Sequence, residues 1–205
     1  MKTKYIGEYK NGKKHGKGSL QVGNFTFFSK KLIKTVGCYE YVGQFRNDKM
    51  HGKGTLKIYG KKNVKDGAKY VGEFENGIMS GKGTLIDENE LFGKHKYTGK
   101  FKNGKFNGKG KIEYSKPVKT NYVGEFYNNK MHGKGTRIAI NKKKKIKMVG
   151  VFKANQMYEG HLTSDEIVFS GKWKNNAMYN GIGNLKGKKG MSVPIKIIKG
   201  KIFYK

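Results

Sequence analysis

Proline and cysteine are nearly missing from this 205-residue chain, which has two prolines and a single cysteine, Cys38. One cysteine cannot close an intrachain disulfide, and a reducing compartment suits such a chain. So few prolines beside 31 glycines argue against disorder, because disordered segments favour both residues. Arginine is scarce too, with Arg46 and Arg137 alone, and the chain has 14 acids against 45 lysines and arginines. The net charge of +31 is therefore lysine charge, carried on point cations without arginine's bidentate fork. No apolar run is long enough to cross a bilayer. The first repeated motif begins at Tyr5, which leaves no room for a targeting extension. The expectation is an intracellular protein, cytoplasmic or peripheral to a membrane, and not secreted.

What the chain does have is glycine and aromatic residues, with 13 tyrosines and 12 phenylalanines, a mixture that favours strands and tight turns. They fall into an internal repeat. Five copies are regular: YIGEYKNGKKHGKG (5–18), YVGQFRNDKMHGKG (41–54), YVGEFENGIMSGKG (70–83), YTGKFKNGKFNGKG (97–110) and YVGEFYNNKMHGKG (122–135). Two are looser, MVGVFKANQMYEG (148–160) and FSGKWKNNAMYNGIG (169–183).

Each copy reads as a β-hairpin. Its first half alternates with a period of two, and its middle pair, such as Asn11-Gly12 or Asn47-Asp48, tolerates the positive φ of a two-residue type I′ turn. An uninterrupted ladder from that turn pairs Lys10 with Lys13, Glu8 with His15, Gly7 with Gly16 and Tyr5 with Gly18. One face then carries the aromatic residues and glycines, where rings can lie on bare backbone. The other carries Val42, Gln44, His51, Lys53 and Thr55 and is mostly polar. The two looser motifs have one extra residue near the turn, read as a three-residue loop with a bulge that puts Tyr158 and Tyr179 opposite the strand.

A lone hairpin is marginal in water, so the units must stack. The expected fold is all-β: an elongated, twisted antiparallel ribbon of about seven stacked hairpins, roughly 65–70 Å long. One array spans residues 1–192. The tail 193–205 is read as a closing strand or cap over the last edge.

The pattern Tyr-x-Gly-x-Phe-x-Asn-Gly-x-x-His-Gly-x-Gly resembles the MORN repeat (membrane occupation and recognition nexus). The resemblance runs over essentially the whole chain, departing where Ser80 and Asn107 replace the histidine, in the long inserts and in the lysine excess. It implies a non-catalytic scaffold or adaptor for protein–protein interaction at an acidic or membrane surface.

Other chemistry finds no support. A phosphate-binding loop needs Gly-x4-Gly-Lys-Ser/Thr, whereas Asn11 stands five residues before Gly16 and Gly18 follows Lys17. The histidines His15, His51 and His132 recur at one motif position, but stacking sets them roughly 10 Å apart, too far to share a metal ion. Facing Glu8, Gln44 and Glu125, they read as cross-strand polar pairs. Cys38 has no His/Asp segment to activate it. No catalytic residue, metal or cofactor is expected.

Two basic features remain. Lys17, Lys53, Lys82, Lys109 and Lys134 share one motif position and should form a ladder on the polar face. Lys142, Lys143, Lys144, Lys145 and Lys147 crowd one connection. Both are candidates for polyanion binding, and the alternative function is a binder of anionic phospholipid or nucleic acid through this lysine-rich face. The candidate packing or groove aromatics are Tyr5, Tyr41, Phe45, Tyr70, Phe74, Tyr97, Phe101, Tyr122, Phe126 and Trp173. A protein partner is expected. An anionic membrane surface, nucleic acid and a homo-oligomer stay open.

Overall fold

Asparagine sets the local geometry. The turn residues Asn11, Asn47, Asn76, Asn103 and Asn128 have φ between 48° and 51°, and each is followed by a second residue of positive φ, from 66° at Asp48 to 86° at Gly77. Two consecutive positive φ angles match the right-handed twist of the strands that such a turn joins. Ala154-Asn155, Asn175-Asn176 and Lys199-Gly200 repeat the pattern.

The computed structural model describes residues 2–23, 27–28, 31–32, 38–59, 67–88, 94–115, 118–141, 144–187 and 191–204. These are strands, turns and bends, with no helix among them. The chain divides into two compact units, residues 1–105 and 106–205, and the boundary falls inside the fourth motif.

In the first unit, β1 (Thr3–Lys10) and β2 (Lys13–Val22) form the first hairpin. The short strands β3 (Phe27–Phe28) and β4 (Lys31–Leu32) pair only with each other. Then come β5 (Tyr39–Arg46), β6 (Lys49–Ile58), β7 (Ala68–Glu75), β8 (Ile78–Asp87) and β9 (His95–Lys102). Apart from β3 and β4, consecutive strands are antiparallel neighbours. The second unit continues in the same manner with β10 (Lys105–Tyr114), β11 (Lys119–Tyr127), β12 (Lys130–Asn141), β13 (Lys144–Lys153), β14 (Gln156–Thr163), β15 (Ile167–Lys174), β16 (Ala177–Lys186), β17 (Ser192–Ile198) and β18 (Lys201–Tyr204). The tail thus contributes two strands, β17 against β16 and β18 against β17. The connection between the fifth and sixth motifs lengthens strands: residues 137–141 continue β12 and residues 144–147 begin β13.

The ladder is not uninterrupted. Gly7 lies opposite Gly18 and Tyr5 opposite Leu20, not Gly16 and Gly18, because the register shifts after the Tyr9–Lys14 pair. The second hairpin shows why: Gln44 faces His51, yet Gly43 faces Gly54, so Gly52 and Lys53 form a two-residue bulge. Gly52 takes φ 57° there, as Gly16, Gly81, Gly108 and Gly133 do at 58–69° in their copies, a conformation open to glycine at little cost. The extra amide is satisfied locally. The Lys53 N–H donates to Gln44 Oε1 at 2.9 Å, and the Lys17, Lys82 and Lys134 amides donate to Glu8, Glu73 and Glu125. Since the shift is an even number of residues, the two faces keep their identities.

The looser motifs differ at the bulge rather than at the turn. Phe152 faces Met157 and Trp173 faces Met178 across two-residue turns, leaving Tyr158 and Tyr179 as single extra residues. No three-residue loop forms. A bulge one residue long turns the tyrosine outward, where Lys153 Nζ sits 3.7 Å from the Tyr158 ring centroid.

The core is a row of rings lying on glycine backbone. Tyr41 meets Phe45 and Phe74 edge-on at 5.0 and 5.1 Å, and Tyr70 meets Phe74 and Phe101 at 5.0 and 4.9 Å. In the second unit Tyr122 touches Phe126 and Phe152, and Phe169 touches Trp173. Such edge contacts are worth about 0.5–1.5 kcal/mol each beyond area burial. The phenols of Tyr41 and Tyr70 donate to the carbonyls of Gln44 and Glu73, at 2.8 and 2.9 Å. To reach them they cross facing glycines: a Cβ at Gly54 would lie 2.4 Å from Tyr41 Oη, and one at Gly43 2.5 Å from it. Burial pushes the phenols of Tyr41, Tyr70 and Tyr122 up to about 12. Turns also stitch hairpins together, as where the Asp48 amide donates to the Lys14 carbonyl and the Lys14 amide returns a bond to Asp48 Oδ1.

Candidate interaction surface

The facing glycines run straight across the strands. In the first unit Gly7, Gly18, Gly43, Gly54, Gly72, Gly83 and Gly99 stand opposite one another in turn. The missing side chains of Gly7, Gly18, Gly43, Gly54, Gly72 and Gly83 would point into the aromatic layer. On the opposite face the residues flanking this row project outward, and they form two parallel walls.

One wall alternates branched apolar and hydroxyl residues: Ile6, Ser19, Val42, Thr55, Val71 and Thr84 lie on successive strands. The apolar members are open to solvent, Ile6 at 63 %, Val42 at 58 % and Val71 at 45 %, with Val123 at 53 % in the second unit. The other wall carries Lys17, Gln44, Lys53, Glu73, Lys82 and Lys100. Between the walls lie shallow recesses. One of about 580 Å³ is lined by Ile6, Val42, Lys17 and Lys53, and another of about 530 Å³ by Val71, Thr55, Lys53 and Lys82.

All five ladder lysines, Lys17, Lys53, Lys82, Lys109 and Lys134, are exposed. Among the described residues none of them makes an ion pair. Acids do stand nearby, with Glu73 opposite Lys53 and Glu125 opposite Lys109. Their carboxylates are turned to the bulge amides of Lys82 and Lys134 instead. Lys82 faces another lysine, Lys100. The side-chain ammonium groups are thus left facing water.

The basic connection is less free. Lys142 and Lys143 lie outside the described residues. Lys144 is paired with Glu166, an ion pair that raises the lysine's pKa and lowers the glutamate's. Lys145 and Lys147 are exposed on β13.

Tyr41, Phe45, Tyr70, Phe74, Tyr97, Phe101, Tyr122, Phe126 and Trp173 are buried, and Tyr5, on the first strand, is half-buried. A buried ring has no face left for a ligand. The histidines sit beside the lysine wall: His51 faces Gln44, His132 faces Glu125, and His161 Nδ1 is 2.7 Å from Ser170 Oγ. Among the described residues no group of three His, Cys, Asp or Glu side chains has the geometry to hold a metal ion.

The apolar wall was not singled out from the sequence. Its signal is nonetheless present: the second motif position, outward by parity, holds Ile6, Val42, Val71 and Val123 where a solvated face would hold polar residues. The MORN repeat model matches residues 5–24, 41–58, 70–90, 97–116 and 122–141, the five regular hairpins. No curated protein matches the chain.

Proposed function

The chain belongs to the MORN-repeat family, and from that premise we propose that it is a scaffold whose lysine wall holds an acidic protein partner. The family is a non-catalytic one of protein- and membrane-interaction modules. The observation that carries the proposal is that the ladder lysines are exposed and make no ion pair among the described residues, and that in the first unit they stand beside an exposed apolar wall. A cationic row alone attracts any polyanion. An apolar wall alongside adds area that a protein side chain can bury. On this reading the protein acts inside the cell and sits against acidic surfaces, a membrane's among them.

A second reading is a binder of anionic phospholipid or nucleic acid. It draws on Lys145 and Lys147, which add exposed charge on β13. Full-length protein should be titrated with polyglutamate, phosphatidylserine vesicles and duplex DNA from low to physiological salt. Polyglutamate held at physiological salt supports the scaffold. Vesicles or DNA held there without polyglutamate transfer the function to the second reading. Loss of all three removes both, since purely diffuse attraction is screened within about 8 Å at that ionic strength.

A further inference from the structure

The walls of the first unit repeat with a fixed period. Lys17, Lys53 and Lys82 stand on β2, β6 and β8, always immediately before a glycine of the facing row, and one strand intervenes at each step. At about 4.8 Å per strand, neighbouring rungs are roughly 9.6 Å apart. Val42 and Val71 lie on the intervening strands β5 and β7 and repeat at the same interval, as do the hydroxyls of Ser19, Thr55 and Thr84. Each period therefore offers one ammonium, one branched apolar side chain and one hydroxyl.

A ligand lying across the strands must repeat every 9.6 Å or so on one face. A polyproline II helix advances about 3.1 Å per residue with three residues per turn, so its i and i+3 side chains share a face roughly 9.3 Å apart. Across Lys17, Lys53 and Lys82 the accumulated mismatch is about 0.6 Å, within the play of a lysine side chain. An extended strand fails this test, because its i and i+3 side chains point to opposite faces. An α-helix is about 10–12 Å wide, too broad to sit between walls that are two residues, roughly 7 Å, apart. The recess floor is sheet backbone whose N–H and C=O groups are already paired, which suits a ligand backbone that forms no ladder.

We infer that this face of the first unit binds a polyproline II segment of a partner protein with a carboxylate at every third residue. The inference rests on the scaffold reading above and narrows it to a partner chemistry. Charge selects acid at the rung position. The Ile6, Val42 and Val71 wall takes the apolar residue of each turn. Nucleic acid is disfavoured: among the described residues of this unit, the outward positions of the paired strands hold no exposed ring on which a base could stack.

The test is fluorescence anisotropy with full-length protein at physiological salt, using labelled peptides of about nine residues, enough for three turns. One is built from Glu-Pro-Pro triplets. Its isomer has the same composition with the glutamates clustered at one end. Tighter binding of the triplet peptide, by about tenfold, with a loss of about threefold on Lys53→Gln, supports the inference; a threefold change equals about 0.65 kcal/mol, in the range of an exposed charge pair. Equal binding of both isomers overturns the period while leaving an acidic partner in place. Binding of neither peptide overturns the inference, and if polyglutamate also fails, the scaffold reading falls with it. Oligothymidylate or phosphatidylserine vesicles displacing the triplet peptide at lower concentration than unlabelled peptide would overturn it in favour of a polyanion site. Lys53→Gln is accepted as a probe only with an unchanged circular dichroism spectrum; Lys17→Gln is the second variant, with the same expected loss.

Discussion

The Gln44 side chain holds the backbone amide of Lys53 at 2.9 Å, nine residues away across a hairpin. That bond closes the two-residue bulge, and with it the register of the whole repeat. Gly54 then meets Gly43, the Tyr41 phenol reaches the Gln44 carbonyl, and Lys53 comes to stand in the outward wall.

The bulge bond should be measurable at Glu8, which accepts from the Lys17 amide at 2.8 Å. Glu8→Ala is expected to lower stability by about 0.5–1 kcal/mol in urea unfolding, the net value of one hydrogen bond. Glu8→Gln should change it little, because Gln44 does the same work in the next hairpin. Equal losses in both variants would mean that charge, not the bond, is what counts.

Glycines of the facing row should be irreplaceable for a different reason from those in turns. Gly54→Ala drives a methyl group to 2.4 Å from Tyr41 Oη and is expected to cost about 1–3 kcal/mol through overpacking. Gly12 has open space around it and φ 70°, so Gly12→Ala carries only left-handed backbone strain, about 1 kcal/mol. Thermal unfolding of the two variants should rank them in that order.

Alkali should unfold the aromatic layer. Burial raises the phenols of Tyr41, Tyr70 and Tyr122 to about 12 in the fold, against about 10 in the unfolded chain. A folded pKa above the unfolded one gives stability that is complete below about pH 10 and is lost as pH rises towards 12. Phenolate absorbance from these residues should therefore appear together with loss of the strand circular dichroism signal. Ionisation of all the tyrosines near pH 10 in a still-folded protein would contradict the burial.

At the acid end Asp48 should titrate low. The Lys14 amide donates to its carboxylate at 2.9 Å and the Lys14 ammonium lies 3.5 Å away, which holds its pKa below the ordinary carboxylate value. A lowered folded pKa contributes stability above about pH 4 that is lost as pH falls through the folded value. A side-chain NMR titration giving Asp48 an ordinary or raised pKa would remove this stitch between hairpins.

Much of this was legible in the residues. Asn-Gly and Asn-Asn pairs announced the turns, and Tyr-x-Gly-x-Phe announced which face would carry rings. The bulge was not legible from alternation, because a period-two pattern shifted by two residues looks the same on both faces. Its trace is chemical: an acid or amide recurs at Glu8, Gln44, Glu73 and Glu125, and only a bulged amide explains the need for it. Lys100 breaks that series in the fourth copy. Tyr158 and Tyr179 stand out as extra residues, but length alone does not say whether the turn or the bulge absorbs an insertion. The apolar wall was hidden because valine at an outward position is ordinary in one strand and becomes informative only in series.

The most direct test replaces the ladder lysines of both units, Lys17, Lys53 and Lys82 in the first and Lys109 and Lys134 in the second, by glutamine and measures polyglutamate binding at physiological salt. All five side chains are exposed and none makes an ion pair among the described residues, so the fold should survive, as an unchanged circular dichroism spectrum would report. Each lost contact is worth roughly 0.2–1 kcal/mol, and together they should weaken binding at least about tenfold. A folded variant that binds polyglutamate as tightly as the natural chain would contradict the account.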